Sequence, residues 1–190
     1  MVSKTHNAIA FASLVTLTAF YPPSSLNLPT LIGAVVGNNI GALISDLDTS
    51  GNYLWGLLPQ GKFLGKFLKN IFYKHRTITH SLLGTFLVYK FFEVVLFKLF
   101  NPDFVDPKIV LISIMIGFVS HLLADSLTEE GVPLLFPLKF TFGIPPIKKV
   151  RIKTGHWFEN IVVFPLTWIF TFYIIKQNYS LFLDIFKNLR

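Results

Sequence analysis

The sequence predicts an all-α, multi-span helical membrane protein with about four to five transmembrane helices, one domain over residues 1–190 and two long loops on the cytoplasmic side. Three observations carry that expectation. Of the 190 residues, 52% are hydrophobic and 14% charged, whereas ordinary globular chains carry about 25% charged residues. Five apolar stretches approach the length of about 20 residues that crosses a bilayer. The 17 Lys and Arg outnumber the 10 Asp and Glu, and in so apolar a chain such an excess reads as the positive-inside bias of membrane loops. A disordered chain and an ordinary soluble domain are both poor fits to this composition. With no Cys in the chain, disulfides, thiolate metal sites and cysteine nucleophiles are excluded. Metal chemistry would fall to the five His and to the carboxylates.

The first stretch, residues 8–20, stops at Tyr21-Pro22-Pro23. No small-residue cleavage pattern follows it, so it is expected as a mature helix rather than a signal peptide. Residues 30–45 hold no charge, and Gly33, Gly37, Gly41 and Ser45 recur at every fourth position. That stripe is the signature of close helix–helix approach in lipid. Asn38 and Asn39 in the same span are costly in lipid and must face other helices or a cavity. Residues 79–100 carry Lys90, Glu93 and Lys98, which implies partial burial in protein or snorkelling at one end. Residues 109–124 form a clean apolar run after Pro107, and residues 160–175 form the last span. Between the spans, residues 46–78 and 125–159 make loops longer than a compact domain usually keeps without a function.

The basic residues orient this arrangement. Lys62, Lys66, Lys69, Lys74 and Arg76 lie in the first long loop, and Lys139, Lys148, Lys149, Arg151 and Lys153 in the second. The connection 21–29 has no basic residue and 101–108 has one. The N-terminus and both long loops are therefore expected in the cytoplasm, although Lys187 and Arg190 near the C-terminus weigh weakly against it.

On that topology all five His, at positions 6, 75, 80, 121 and 156, fall at one membrane interface together with six of the ten acids. His121 and Asp125 are four apart, hence on one face of a helix end, suited to one metal or to a carboxylate orienting an imidazole. Asp46 and Asp48 are two apart, which in extended chain points both carboxylates to one side. A carboxylate at the end of the second span also sits at the unfavourable end of the helix dipole, a misfit that calls for a compensating cation. His75 and His80 would diverge on a continuous helix, so His75 is expected on the loop and His80 in the first turn, with Thr77 or Thr79 capping. Arg76 is read equally as an oxyanion clamp and as a positive-inside residue. Glu129 and Glu130 are read mainly as solvated loop charges, and His6 and His156, each taken alone, more readily as interfacial residues than as ligands.

The segment His75-Arg76-Thr77-Ile78-Thr79-His80-Ser81 resembles the HR-x-x-THS motif of the YdjM/YbcI-type family of membrane-bound metal-dependent hydrolases. Matching pieces are Thr5-His6, Asp46-Leu47-Asp48, and Ser120-His121-Leu122-Leu123-Ala124-Asp125 followed by Thr128, Gly131 and Leu135-Phe136-Pro137. Thr154-Gly155 with Glu159 is similar to the family's late G-x-x-E element. The resemblance runs from about residue 5 to 165. It implies a helical membrane protein with a His/Asp metal centre, similar in ligand types to zinc-dependent phospholipase C. Carried over by position, the ligands are His6, Asp46, Asp48, His75, His80, His121 and Asp125, with Glu159 favoured over His156 as a further participant.

These readings combine into a membrane-embedded metal-dependent hydrolase. The divalent metal would be zinc first, with manganese or magnesium as alternatives where oxygen ligands dominate. Asp48 or Glu159 would act as general base, and Arg76 would hold a phosphate. The expected partners are a membrane lipid and an amphiphilic or phosphoester substrate. The competing reading is a metal-binding membrane scaffold or transporter without catalysis, with Asn38 and Asn39 on an ion path. Nucleic-acid binding is not expected, because the basic residues are dispersed without interleaved base-stacking aromatics.

Overall fold

The computed structural model describes residues 1–47, 78–138 and 140–189, and among them the chain is helical. The helices are α1 (Ser3–Phe20), α2 (Leu28–Ile44), α3 (Leu82–Leu99), α4 (Pro107–Ser126), α5 (Phe164–Gln177) and α6 (Tyr179–Lys187). A 3₁₀ turn, Ile78–His80, precedes α3, and a π-helical segment, Glu159–Val163, runs straight into α5. Among the described residues no β-strand forms; the connection from α4 to α5 holds two isolated bridges, Thr128 with Ile152 and Val132 with Phe142.

Local chemistry explains where the helices begin. The Asn27 side chain accepts from the Thr30 amide at 2.9 Å to open α2, and Asp106 accepts from the Lys108 amide at 2.8 Å to open α4. Pro29 and Pro107 sit in the first turns, where a missing N–H costs nothing. Three boundaries differ from expectation. Helix α1 begins at Ser3, so His6 lies inside the helix instead of ahead of it. Ser81, not Thr77 or Thr79, caps α3: its hydroxyl accepts from the Gly84 amide at 3.0 Å, which leaves His80 in the preceding 3₁₀ turn. Helix α6 was not anticipated, being a short amphipathic segment beyond the last apolar run.

Helix α4 is central and packs against α1, α2 and α3, while α1 also meets α5. The α2–α4 pair approaches closest. A Cβ on Gly41 would collide with the Ile114 carbonyl, and one on Gly117 with the Asn38 carbonyl, so the two backbones touch. At Gly33, by contrast, a Cβ would stand 3.1 Å from a Val110 methyl. The Asn38 amide donates to the Ser113 carbonyl at 3.2 Å, and Asn39 donates to Val35 at 2.9 Å within its own helix. On α3, Glu93 takes the Lys90 ammonium at 2.7 Å and the Tyr89 hydroxyl at 2.9 Å, so the charges in that span neutralise each other at its surface.

Pro107–Ser126 and the continuous stretch Glu159–Gln177 are long and apolar enough to cross a membrane, and Leu28–Ile44 is apolar but shorter. Two of the five expected spans thus meet that test. The outward faces of α3 and α5 are apolar, with Phe91, Val94, Ile169 and Phe172 exposed, as lipid-facing helices would be. In the connecting loop the Arg151 guanidinium donates to the carbonyls of Pro145 at 2.7 Å and of Gly143 and Pro146 at 3.1 Å, tying the segment to itself.

Gly41→Ala and Gly117→Ala are each expected to destabilise the protein by about 1–3 kcal/mol through forced backbone separation. Gly33→Ala should cost less. Thermal unfolding in detergent checks this, and equal melting temperatures for all three variants would remove the backbone contact from the account.

Candidate metal centre

Helix polarity brings one end of each long element to the same end of the bundle. His6 comes from the start of α1, Asp46 follows the end of α2, His80 precedes α3, and His121 and Asp125 close α4. Gly84 permits the close fold of the 3₁₀ turn on α3, since a Cβ there would strike the Ile78 carbonyl. The Ser81 hydroxyl donates to that same carbonyl at 2.7 Å while accepting from Gly84, which fixes the turn that presents His80.

The five side chains converge in a nearly dry site. His6, His80, His121 and Asp125 are at most 1% exposed, and Asp46 is 22% exposed, so the centre opens on the Asp46 side. His80 Nε2 lies 3.6 Å from Asp46 Oδ1 and 3.5 Å from Asp125 Oδ2; His121 Nε2 lies 3.6 Å from each of the same two oxygens. His6 Nε2 is 3.2 Å from Asp125 Oδ1, which also accepts from the Met1 amino group at 2.6 Å. The rings of His6 and His121 stack at 3.7 Å, and His80 meets His121 edge-on at 5.4 Å. Burial lowers the pKa of His80, which favours the neutral imidazole that a metal requires.

One contact determines the chemistry of His121. Its Nδ1 lies 2.6 Å from the Ala42 carbonyl. A carbonyl can only accept, so Nδ1 carries the proton and, in the neutral ring, Nε2 carries the lone pair. That lone pair faces two carboxylate oxygens at 3.6 Å, and Nε2 has no hydrogen-bond partner among the described residues. Acceptor facing acceptor in a buried site is unfavourable unless a cation lies between them. Two donors each about 2.1 Å from a tetrahedral ion stand about 3.4 Å apart, close to the separations observed. Among the described residues two sets of three could hold an ion, His6–Asp46–His121 and His80–His121–Asp125, with donor atoms in each set within 4.8 Å of one another.

Glu159 is used differently. It is fully buried, and its two oxygens accept from the Val2 amide and the Gly155 amide, each at 2.7 Å. Its carboxylate therefore clasps the start of α1 to the last turn before α5. Gly155 adopts φ 76°, the left-handed region that glycine enters without strain. His156 is exposed, and Glu129 and Glu130 lie in the turn after α4; none of these three joins the two donor sets. Asp48, His75 and Arg76 lie outside the described residues. The participant that residue-type reasoning missed is Ala42, whose contribution is a backbone carbonyl and so leaves no trace in side-chain identity.

The model of the YdjM inner membrane protein family matches residues 1–182. YvsG of Bacillus subtilis (strain 168) is 33% identical over 167 residues, which cover 88% of this chain and 90% of that protein. Inner membrane protein YdjM of Escherichia coli (strain K12) is 36% identical over 103 residues, 54% of this chain and 48% of that protein. Its namesake in Shigella flexneri matches to the same extent. The matched part thus spans about half the length of these two relatives. No solved structure matches.

Glu159→Ala would leave two buried amides without acceptors and is expected to cost about 1.5–3 kcal/mol. Glu159→Gln, which keeps one acceptor, should cost less. Unfolding of the detergent-solubilised protein checks both, and a wild-type melting temperature for Glu159→Ala would discard the clasp.

Proposed function

The chain belongs to the YdjM inner membrane protein family and is a membrane protein, and on that premise we propose that it is a membrane-embedded metal-dependent hydrolase. The observation that supports this reading best is His121, held through Nδ1 by the Ala42 carbonyl, with its Nε2 aimed at the Asp46 and Asp125 carboxylates at 3.6 Å. His6, Asp46, His80, His121 and Asp125 would hold one or two divalent ions. A mixed imidazole and carboxylate set suits zinc, with manganese or magnesium where more oxygens bind. A bound ion would supply Lewis-acid polarisation of a phosphoester and a lowered pKa for water.

The chain's own residues set up the rest. The Ala42 carbonyl fixes the His121 tautomer, and the α2–α4 contact holds Asp46 against α4. Asp46, the partly exposed member, marks the side from which substrate and water enter. Asp48, two residues further on, is proposed as general base, and Arg76 as the clamp on the phosphate. His75 would be a further ligand. On this reading α1 to α4 and Glu159–Gln177 would each cross the bilayer, the centre would lie at the cytoplasmic surface, and the substrate would be a lipid or other amphiphilic phosphoester. The competing reading is a metal-binding scaffold or transporter without catalysis; for its ion path, Asn38 donates to the Ser113 carbonyl across to α4 and Asn39 to Val35 in its own helix.

Purified protein is expected to contain stoichiometric divalent metal by elemental analysis. His121→Ala and Asp125→Asn should each weaken metal binding by more than the about 10–100-fold typical of losing an outer partner. Phosphoester lipids in mixed micelles should be cleaved only by the metal-loaded protein. Metal content indistinguishable between wild type and both variants would overturn the reading.

A further inference from the structure

A groove of about 1550 Å³ runs along α4 on the side away from α2, walled by α1, α3 and α5. It exceeds the about 300–1,000 Å³ that holds a drug-sized ligand. Its exposed wall is apolar, with Phe86, Ile112, Val119, Leu123, Leu166 and Phe170 among its residues. The wall hydroxyls are turned inward to their own helices. Thr16 donates to Ala12, Thr85 to Ser81, Ser120 to Gly117 and Thr167 to Val163, all within 3.0 Å. These groups offer an occupant little hydrogen bonding, so the groove is built for hydrocarbon.

Its two ends differ. Along α4 it reaches from Lys108 to Leu127, about 28 Å at the helical rise, close to the thickness of a bilayer core of about 30 Å. One end is polar, with Lys108, Tyr89 and Glu93. The other lies at the end of the bundle that carries the His/Asp centre, where the lining residues Ile9, Leu82 and Ser120 are close in sequence to His6, His80 and His121, none of which lines the groove itself. An occupant with its tail in the groove and its head at this end would bring the head to the level of the centre.

We propose that the groove binds the acyl chains of a glycerophospholipid, the headgroup phosphate lying at the His/Asp centre. The headgroup part rests on the hydrolase reading; the acyl-chain part rests on the groove alone. The experiment is photolabelling of the full chain in phosphatidylglycerol nanodiscs doped with a phosphatidylglycerol that carries a diazirine in its acyl chain. Labelled peptides are mapped by mass spectrometry and metal content is measured in the same samples. Labels are expected on groove residues of α4 and α5 above those on Ile32 and Val36, which are exposed on α2 outside the groove. Ile112→Trp and Leu166→Trp, from two different helices, should each lower groove labelling about tenfold, equivalent to about 1.4 kcal/mol, with metal content unchanged. Uniform labelling of groove and α2, or chain-to-chain crosslinks at groove residues that assign it to a second copy, would overturn the proposal. Groove labelling in a protein without metal would sink the hydrolase reading and leave the lipid site standing. Metal binding without groove labelling would do the reverse.

Discussion

Asp46 meets His121 because α2 and α4 touch backbone to backbone. In lipid there is no hydrophobic drive between helices, and close packing of small residues takes its place. Gly41 against Ile114 and Gly117 against Asn38 set that distance. The next residue on α2 is Ala42, and one turn beyond Gly117 on α4 is His121. The same approach that satisfies packing therefore presses a carbonyl onto His121 Nδ1 and turns its other nitrogen toward the carboxylates. Helix packing here selects a tautomer, and the tautomer decides what the centre can bind.

Two buried carboxylates illustrate two ways of offsetting desolvation. An isolated buried charge is too costly to keep, so each needs compensation. Glu159 finds it in two backbone amides, Val2 from across the fold and Gly155 four residues before it. Asp125 lies among three imidazoles and the chain's amino group: its Oδ1 accepts from the Met1 ammonium at 2.6 Å and stands 3.2 Å from His6 Nε2, and its Oδ2 stands 3.5–3.6 Å from His80 and His121 Nε2. The first arrangement is a clasp that joins α1 to the start of α5. The second gathers an acid, the Met1 ammonium and three imidazoles in one buried cluster, a donor set that suits a metal ion, so the two acids, equally dry, sit in different surroundings.

Much of this was legible in residue spacing. The interval of four between His121 and Asp125 and the stripe through Gly33, Gly37 and Gly41 both work within one helix, where the period is known in advance. The misplacements lie where several residues compete for one role. Thr77, Thr79 and Ser81 are all good caps within five positions, and only the fold of the 3₁₀ turn against Gly84 selects Ser81. His80 consequently enters the site from a turn instead of from a helix. The task of Glu159 was hidden because its partners are main-chain amides, one of them 157 residues away. Helix α6 was missed because its apolar residues are interleaved with Ser180, Asp184 and Lys187 and form no continuous run.

Helix α4 separates polar chemistry from hydrocarbon across its own width. His121 and Asp125, four apart, face α2 and the centre, whereas Val119, Leu123 and Leu127, also four apart, line the groove. At about 100° per residue those two series lie on different sides of one helix. A helix is about 10 Å across with its side chains, so a headgroup at the centre and a tail in the groove need be no further apart than adjacent parts of one lipid. The polar face cannot move without carrying the apolar one, because both are carried by the helix that Gly41 and Gly117 lock against α2. The position of a groove occupant relative to the centre would then follow from the fold of α4 itself.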